Sequence, residues 1–148
     1  MPRIQTTLVI DASPDAIWSV LSDWPAYGEW CALIPVIRGE ARLAGDVDIR
    51  LRLGALAAPI DATITRFEPN RALEWTGPRS RALGLFASGR HSFEIVDFGD
   101  GRSRLVHGET FTGPGFRLPW RLLKPRLERA YADFNRALAR RVEAQAKA

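Results

Sequence analysis

Between Asp46 and Leu53 the chain reads DVDIRLRL, a strict alternation that sets Val47, Ile49, Leu51 and Leu53 against Asp46, Asp48, Arg50 and Arg52. Successive side chains of a strand point to opposite faces, so this segment has one dry face and one wet face, the pattern of an antiparallel sheet. A dry sheet face needs a cover. The last third of the chain supplies one. In WRLLKPRLERAYADFNRALARRVEAQ, Leu123, Leu127, Tyr131, Phe134, Leu138 and Val142 recur every three or four residues, forming one apolar stripe on a long, otherwise arginine-rich helix. Pro125 lies near its beginning, so the helix either starts or bends there.

The remaining segments fill in an order. RIQTTLVID places Ile4, Thr6, Leu8 and Ile10 on one face of a first strand. ASPDAIWSVLSD follows, with Ser13 as N-cap and Pro14 in the first turn of a short helix that carries Ile17, Trp18 and Leu21 inward. PAYGEWCAL reads as a second short helix, weakened by Gly28. VIRGEARLA and DVDIRLRLG flank a turn at Gly45-Asp46, and PIDATITRF, ALEWTG, SGRHSFEIV and the strand ending at Phe111 follow. GPRSRALG, between the last strands, reads as a connection. The expectation is an α+β fold ordered β-αα-β6-α in a single domain over residues 1–148, long enough to bury a core unaided.

Composition narrows the function classes. The apolar share of 46% and charged share of 26% are those of a globular protein, with no run of about 20 apolar residues to span a membrane. MPRIQTT lacks the apolar core of a signal peptide, so a cytoplasmic location is expected. The net charge is +4, but the basic residues are scattered, and no zinc-finger spacing, P-loop or dinucleotide fingerprint appears. Neither nucleic acid, nor a metal, nor a cofactor is expected as a partner. The single Cys31 reads as a buried free thiol. Arg117, Arg121 and Lys124, with Phe116 and Trp120 beside them, read as a solvated basic face or as a site of transient contact with an anionic membrane surface.

Two strands break the dry-face rule. In SGRHSFEIV, His91 shares a face with Phe93 and Ile95; in LVHGETF, His107 and Glu109 share one with Leu105 and Phe111. The turn DFGDGR joins the two, and a turn centred on Asp100 sets His91 opposite Glu109, Phe93 opposite His107 and Ile95 opposite Leu105, whereas a slip of two residues sets His91 opposite His107, still diagonal to Glu109. Two imidazoles and a carboxylate then meet on the concave face, joined by Trp75 on the same parity. A buried carboxylate must protonate or find a donor. The cluster therefore satisfies itself internally, anchors the polar end of a ligand, or exchanges protons with one through Glu109 and His91.

The order of elements, with SPDAIWSVLSDWPAYGEW, LEWTG, GRHSFEIV, GETFTG and FNRALARRVE, resembles the START-related SRPBCC superfamily, in particular its bacterial polyketide cyclase/dehydrase and lipid-transport branch. The resemblance implies a helix-grip fold: a seven-stranded antiparallel sheet curled around the C-terminal helix, with a deep apolar cavity. Where such relatives often carry Asn-Pro after the tryptophan equivalent to Trp30, this chain has Cys31-Ala32, which alters the local turn. The expected function is binding or carrying of a small hydrophobic ligand of lipid, polyketide or isoprenoid class. Its wall would come from Leu51, Leu53, Trp75, Phe93, Phe111, Leu127, Tyr131 and Phe134, and its polar anchor from His91, His107 and Glu109. The alternatives are a cyclase or dehydratase moving protons with Glu109 and His91, and a protein-interaction module of the chaperone-regulating kind.

Overall fold

The computed structural model describes residues 2–148. The elements in chain order are β1 (Arg3–Ile10), α1 (Pro14–Leu21), a 3₁₀ helix (Trp24–Glu29), β2 (Val36–Gly39), β3 (Asp46–Leu53), β4 (Leu56–Glu68), β5 (Ala72–Gly77), α2 (Arg81–Phe86), β6 (Ser88–Asp97), β7 (Ser103–Thr112), a 3₁₀ turn (Pro114–Phe116) and α3 (Trp120–Ala146). The seven strands form one antiparallel sheet in the order β1-β7-β6-β5-β4-β3-β2. α3 packs against β1 at one edge and also against β3 near the other. One helix reaches both only because the sheet curls around it. No helix among the described residues is long and apolar enough to cross a membrane.

The β6–β7 hairpin has the register of a turn centred on Asp100: His91 pairs with Glu109, Phe93 with His107 and Ile95 with Leu105. The stripe of α3 is buried at Leu127, Tyr131, Phe134, Leu138 and Val142. It meets Ile4, Ile10, Ile17, Leu21 and Leu105 in the closed end of the core.

Four segments differ from the sequence reading. β2 stops at Gly39, whose φ of +142° and missing side chain let the chain turn away beside Asp46. The second short helix is 3₁₀ rather than α and ends at Glu29, as Pro25 and Gly28 would dictate. The GPRSRALG segment contains α2, opened by Ser80, whose hydroxyl oxygen accepts the Leu83 N–H at 3.4 Å. That helix buries none of its residues and so shows no apolar stripe to read. Finally, α3 begins at Trp120 and runs through Pro125. The missing N–H there leaves only the Arg121 carbonyl without its helical donor, one turn from the end.

Candidate functional site

Register lays the polar residues out in two rows across the concave face. Trp75, His91 and Glu109 are paired partners on β5, β6 and β7, and Ile4 continues that row on β1. One step along, Leu73, Phe93, His107 and Thr6 form the next. Four residues of helix rise about 6 Å, close to the roughly 6.7 Å between alternate residues of a strand. Tyr131 therefore reaches the first row and Asn135 the second.

The contacts form a chain. The Tyr131 hydroxyl donates to Glu109 Oε2, and the same oxygen lies 3.2 Å from His91 Nδ1. His91 Nε2 is 2.8 Å from His107 Nε2, and His107 Nδ1 is 2.9 Å from Asn135 Oδ1. Asn135 Nδ2 donates to Thr6 Oγ1 at 2.9 Å, and Thr6 Oγ1 donates to the His107 carbonyl at 3.3 Å. Aromatic faces clamp both imidazoles: Trp75 stacks on His91 at 4.8 Å and 12°, and Tyr131 on His107 at 4.3 Å and 2°.

The far end of this chain fixes the protons at the near end. Because the Asn135 amide nitrogen faces Thr6, its oxygen faces His107, so His107 carries its proton on Nδ1. Burial, reinforced by the neighbouring His91 and only partly opposed by the Asn135 hydrogen bond, holds the His107 pKa well below the ordinary histidine value. A neutral His107 with Nδ1–H offers a lone pair at Nε2, so His91 donates from its own Nε2. His91 Nδ1 and Glu109 Oε2 lie within hydrogen-bond reach of each other and of the Tyr131 hydroxyl. An imidazole and a carboxylate so placed are the parts of an acid–base couple.

This junction faces a cavity of about 480 Å³. Leu51, Leu53, Trp75, Phe111, Leu127 and Tyr131 line it with His91 and Glu109, as expected for the wall. His91 is 4% exposed, while the Glu109 side chain keeps 16%. Glu109 Oε1 lies over Gly89, another lining residue, at a spot where a Cβ would overlap it. Three residues assigned to the cavity lie outside it. Phe93, His107 and Phe134 are buried in the layer where α3 sits directly on the sheet, with Phe93 and Phe134 stacked at 5.2 Å. The 480 Å³ cavity lies toward the other end, where β3, β4 and α2 contribute to its wall together with the first turns of α3, while Phe134 borders a separate hollow of about 370 Å³. Ile34, Ile49, Leu56, Ile60, Leu83, Phe116 and Leu123 also line the 480 Å³ cavity and were not assigned to it from sequence. Asn135 and Thr6 were also missed. Their signals were a polar residue one helical turn beyond Tyr131 and another at an inward parity of β1.

Two other expectations resolve. The Cys31 thiol accepts the Ile34 N–H at 3.3 Å, and burial pushes its pKa up to about 12, so it is a structural group. It does not line the 480 Å³ cavity, and neither do Trp18, Trp24 and Trp30. Phe116 and Trp120, both partly exposed, pack on Phe111 at 4.8 and 5.3 Å.

The family model for polyketide cyclase/dehydrase and lipid transport proteins matches residues 1–143. The chain belongs to this family. No curated protein matches it in sequence. Among solved structures, this member of the polyketide cyclase/dehydrase and lipid transport family is similar to the Zhui aromatase/cyclase from Streptomyces sp. R1128, with a TM-score of 0.76 and 14% identity over 97% of this chain and 94% of that one. A START superfamily protein from Mycobacterium smegmatis is similar at TM-score 0.77 and 19% identity, over 97% and 98%. A norcoclaurine synthase point mutant from Thalictrum flavum, in complex with a transition-state analogue, is similar at TM-score 0.70 and 15% identity, over 97% and 94%. At these identities the likeness is one of fold.

The state of His107 makes stability depend on pH. The unfolded chain takes up a proton at this residue near pH 6.5, whereas the folded chain does so only well below that. Its contribution is therefore complete above about pH 6.5 and is lost as the pH falls, at up to about 1.4 kcal/mol per pH unit. Urea unfolding on either side of that pH checks this, and the extra slope is expected to vanish in His107→Leu.

Proposed function

We propose that the protein is a cytoplasmic binding or carrier protein that holds a small, largely apolar molecule in the 480 Å³ cavity, with the molecule's polar end against Glu109 and His91. One observation carries this reading: a mostly apolar wall converges at one point on a carboxylate and an imidazole 3.2 Å apart. A volume in the range of small-molecule sites, with few placed polar groups, suits recognition of a hydrocarbon-rich compound bearing one hydroxyl, carbonyl or enol. Lipid, polyketide and isoprenoid compounds all meet that description.

The test compares a long-chain alcohol with the alkane of equal length, each displacing the fluorescent apolar probe N-phenyl-1-naphthylamine. The wild type is expected to prefer the alcohol by at least about tenfold, the value of one good hydrogen bond to a charged group. Glu109→Leu is expected to keep the probe and lose the preference. An equal preference in both proteins contradicts the reading.

The pairing of Glu109 with His91 on the cavity wall also favours a second reading, proton transfer to an enolisable ligand. Under it Glu109 and His91 act as the acid–base couple, and a pH-dependent rate disappears in Glu109→Gln while binding persists.

A further inference from the structure

The rim of the cavity is built unlike the rest of the surface. Leu118 is 95% exposed, Leu85 81%, Leu122 71%, and Leu83, Phe86 and Leu56 each 61%. They come from three elements that frame the opening: the β3–β4 turn, α2, and the segment leading into α3. Leu56 and Leu83 themselves line the cavity, as do Phe116 and Leu123 beside Leu118 and Leu122. α2 and the α3 approach touch, since the place of a Gly115 side chain is occupied by the Phe86 ring, 2.8 Å away. A soluble domain exposes single leucines freely; six large apolar side chains around one opening form a patch.

The charge of the rim is one-sided. From Trp75 to Phe93 and from Thr110 to Leu127 the sequence contains no Asp or Glu, yet these stretches hold Arg79, Arg81, Arg90, Arg117, Arg121, Lys124 and Arg126. Arg79 and Arg90 are paired with carboxylates of β3, β4 and β5, and Lys124 with Glu128 one turn further along α3. Arg81, Arg117 and Arg121 are exposed and make no ion pair among the described residues. The last two stand at the start of α3, whose first turn has no acidic residue to balance its dipole. An anionic surface would relieve that concentration of positive charge.

We propose that this rim is a docking surface for an anionic lipid bilayer, with Leu85, Leu118 and Leu122 entering the headgroup boundary while Arg81, Arg117 and Arg121 contact lipid phosphates. Apolar tips with cations behind them are the pattern of an interfacial contact. The opening of the cavity then faces the hydrocarbon, so an apolar molecule passes between bilayer and cavity without crossing water. The docking rests on the cavity reading only for this consequence, and is measured with no ligand present.

Co-sedimentation with vesicles of phosphatidylcholine, alone or mixed with phosphatidylglycerol, tests it. The protein is expected to bind the mixed vesicles at least about tenfold more tightly, and progressively less as salt rises. Arg117→Glu/Arg121→Glu and Leu118→Ser/Leu122→Ser are each expected to lose at least about tenfold of that binding, with uptake of N-phenyl-1-naphthylamine and thermal unfolding unchanged. Equal partitioning to both vesicle types, or to neither, overturns the proposal. So does a sedimentation profile in which the free protein is a dimer through these leucines, since a second copy would then be the occupant. A protein that binds vesicles but excludes the probe would contradict the cavity reading and leave the docking standing.

Discussion

His107→Leu is expected to lower the free energy of unfolding by about 2–4 kcal/mol, although leucine suits the apolar surroundings. The cost lies in what is left behind: the His91 Nε2–H and the Asn135 Oδ1 both lose a partner in a region closed to water. Asn135→Leu strands the His107 Nδ1–H and removes the donor to Thr6 Oγ1, which keeps its bond to the His107 carbonyl, and so costs less. The double variant removes both members of that pair, so its loss is expected to fall short of the sum by at least about 1 kcal/mol. Urea denaturation followed by tryptophan fluorescence measures all three. Additive losses would show that the two side chains do not interact, and the tautomer assigned to His91 would lose its basis.

That chain of contacts shows where the sequence is legible. Parity alone puts His91, His107, Glu109 and Trp75 on one face, because a strand has a period of two and the DFGDGR turn admits few registers. The stripe of α3 is legible for the same kind of reason. Which of those residues border empty space is not: Phe93 and Trp75 share a parity, yet one is covered by Phe134 and the other lines the cavity. That depends on where the curved sheet and the helix it holds part company, a property of neither segment alone. Thr6 and Asn135 stayed hidden because a single polar residue in an apolar pattern has no partner in sequence. The pair is 129 residues apart. α2 stayed hidden because it buries nothing. Its leucines stay largely exposed, Leu83 at the cavity wall and Leu85 beyond it, against the rule by which helices are read, and they are the ones that mark the rim.

The second large effect concerns the hollow itself. Ala58 pairs with Leu51 across the β3–β4 hairpin and lines the cavity near its opening, with its methyl group exposed. Tryptophan at this position has space ahead of it and displaces no packed neighbour, so Ala58→Trp should fold with near-wild-type stability while its indole occupies volume meant for a ligand. Binding of an apolar guest should weaken by at least about tenfold. A cavity used for nothing, or one filled by repacked side chains, would show no such loss.

The most direct measurement is accordingly a fluorescence titration of N-phenyl-1-naphthylamine into the wild type and into Ala58→Trp, with thermal unfolding of both recorded in parallel. The account predicts one saturable, blue-shifted site in the wild type, nearly absent from an equally stable Ala58→Trp. The same affinity in both proteins, or no saturable site in the wild type, would contradict it.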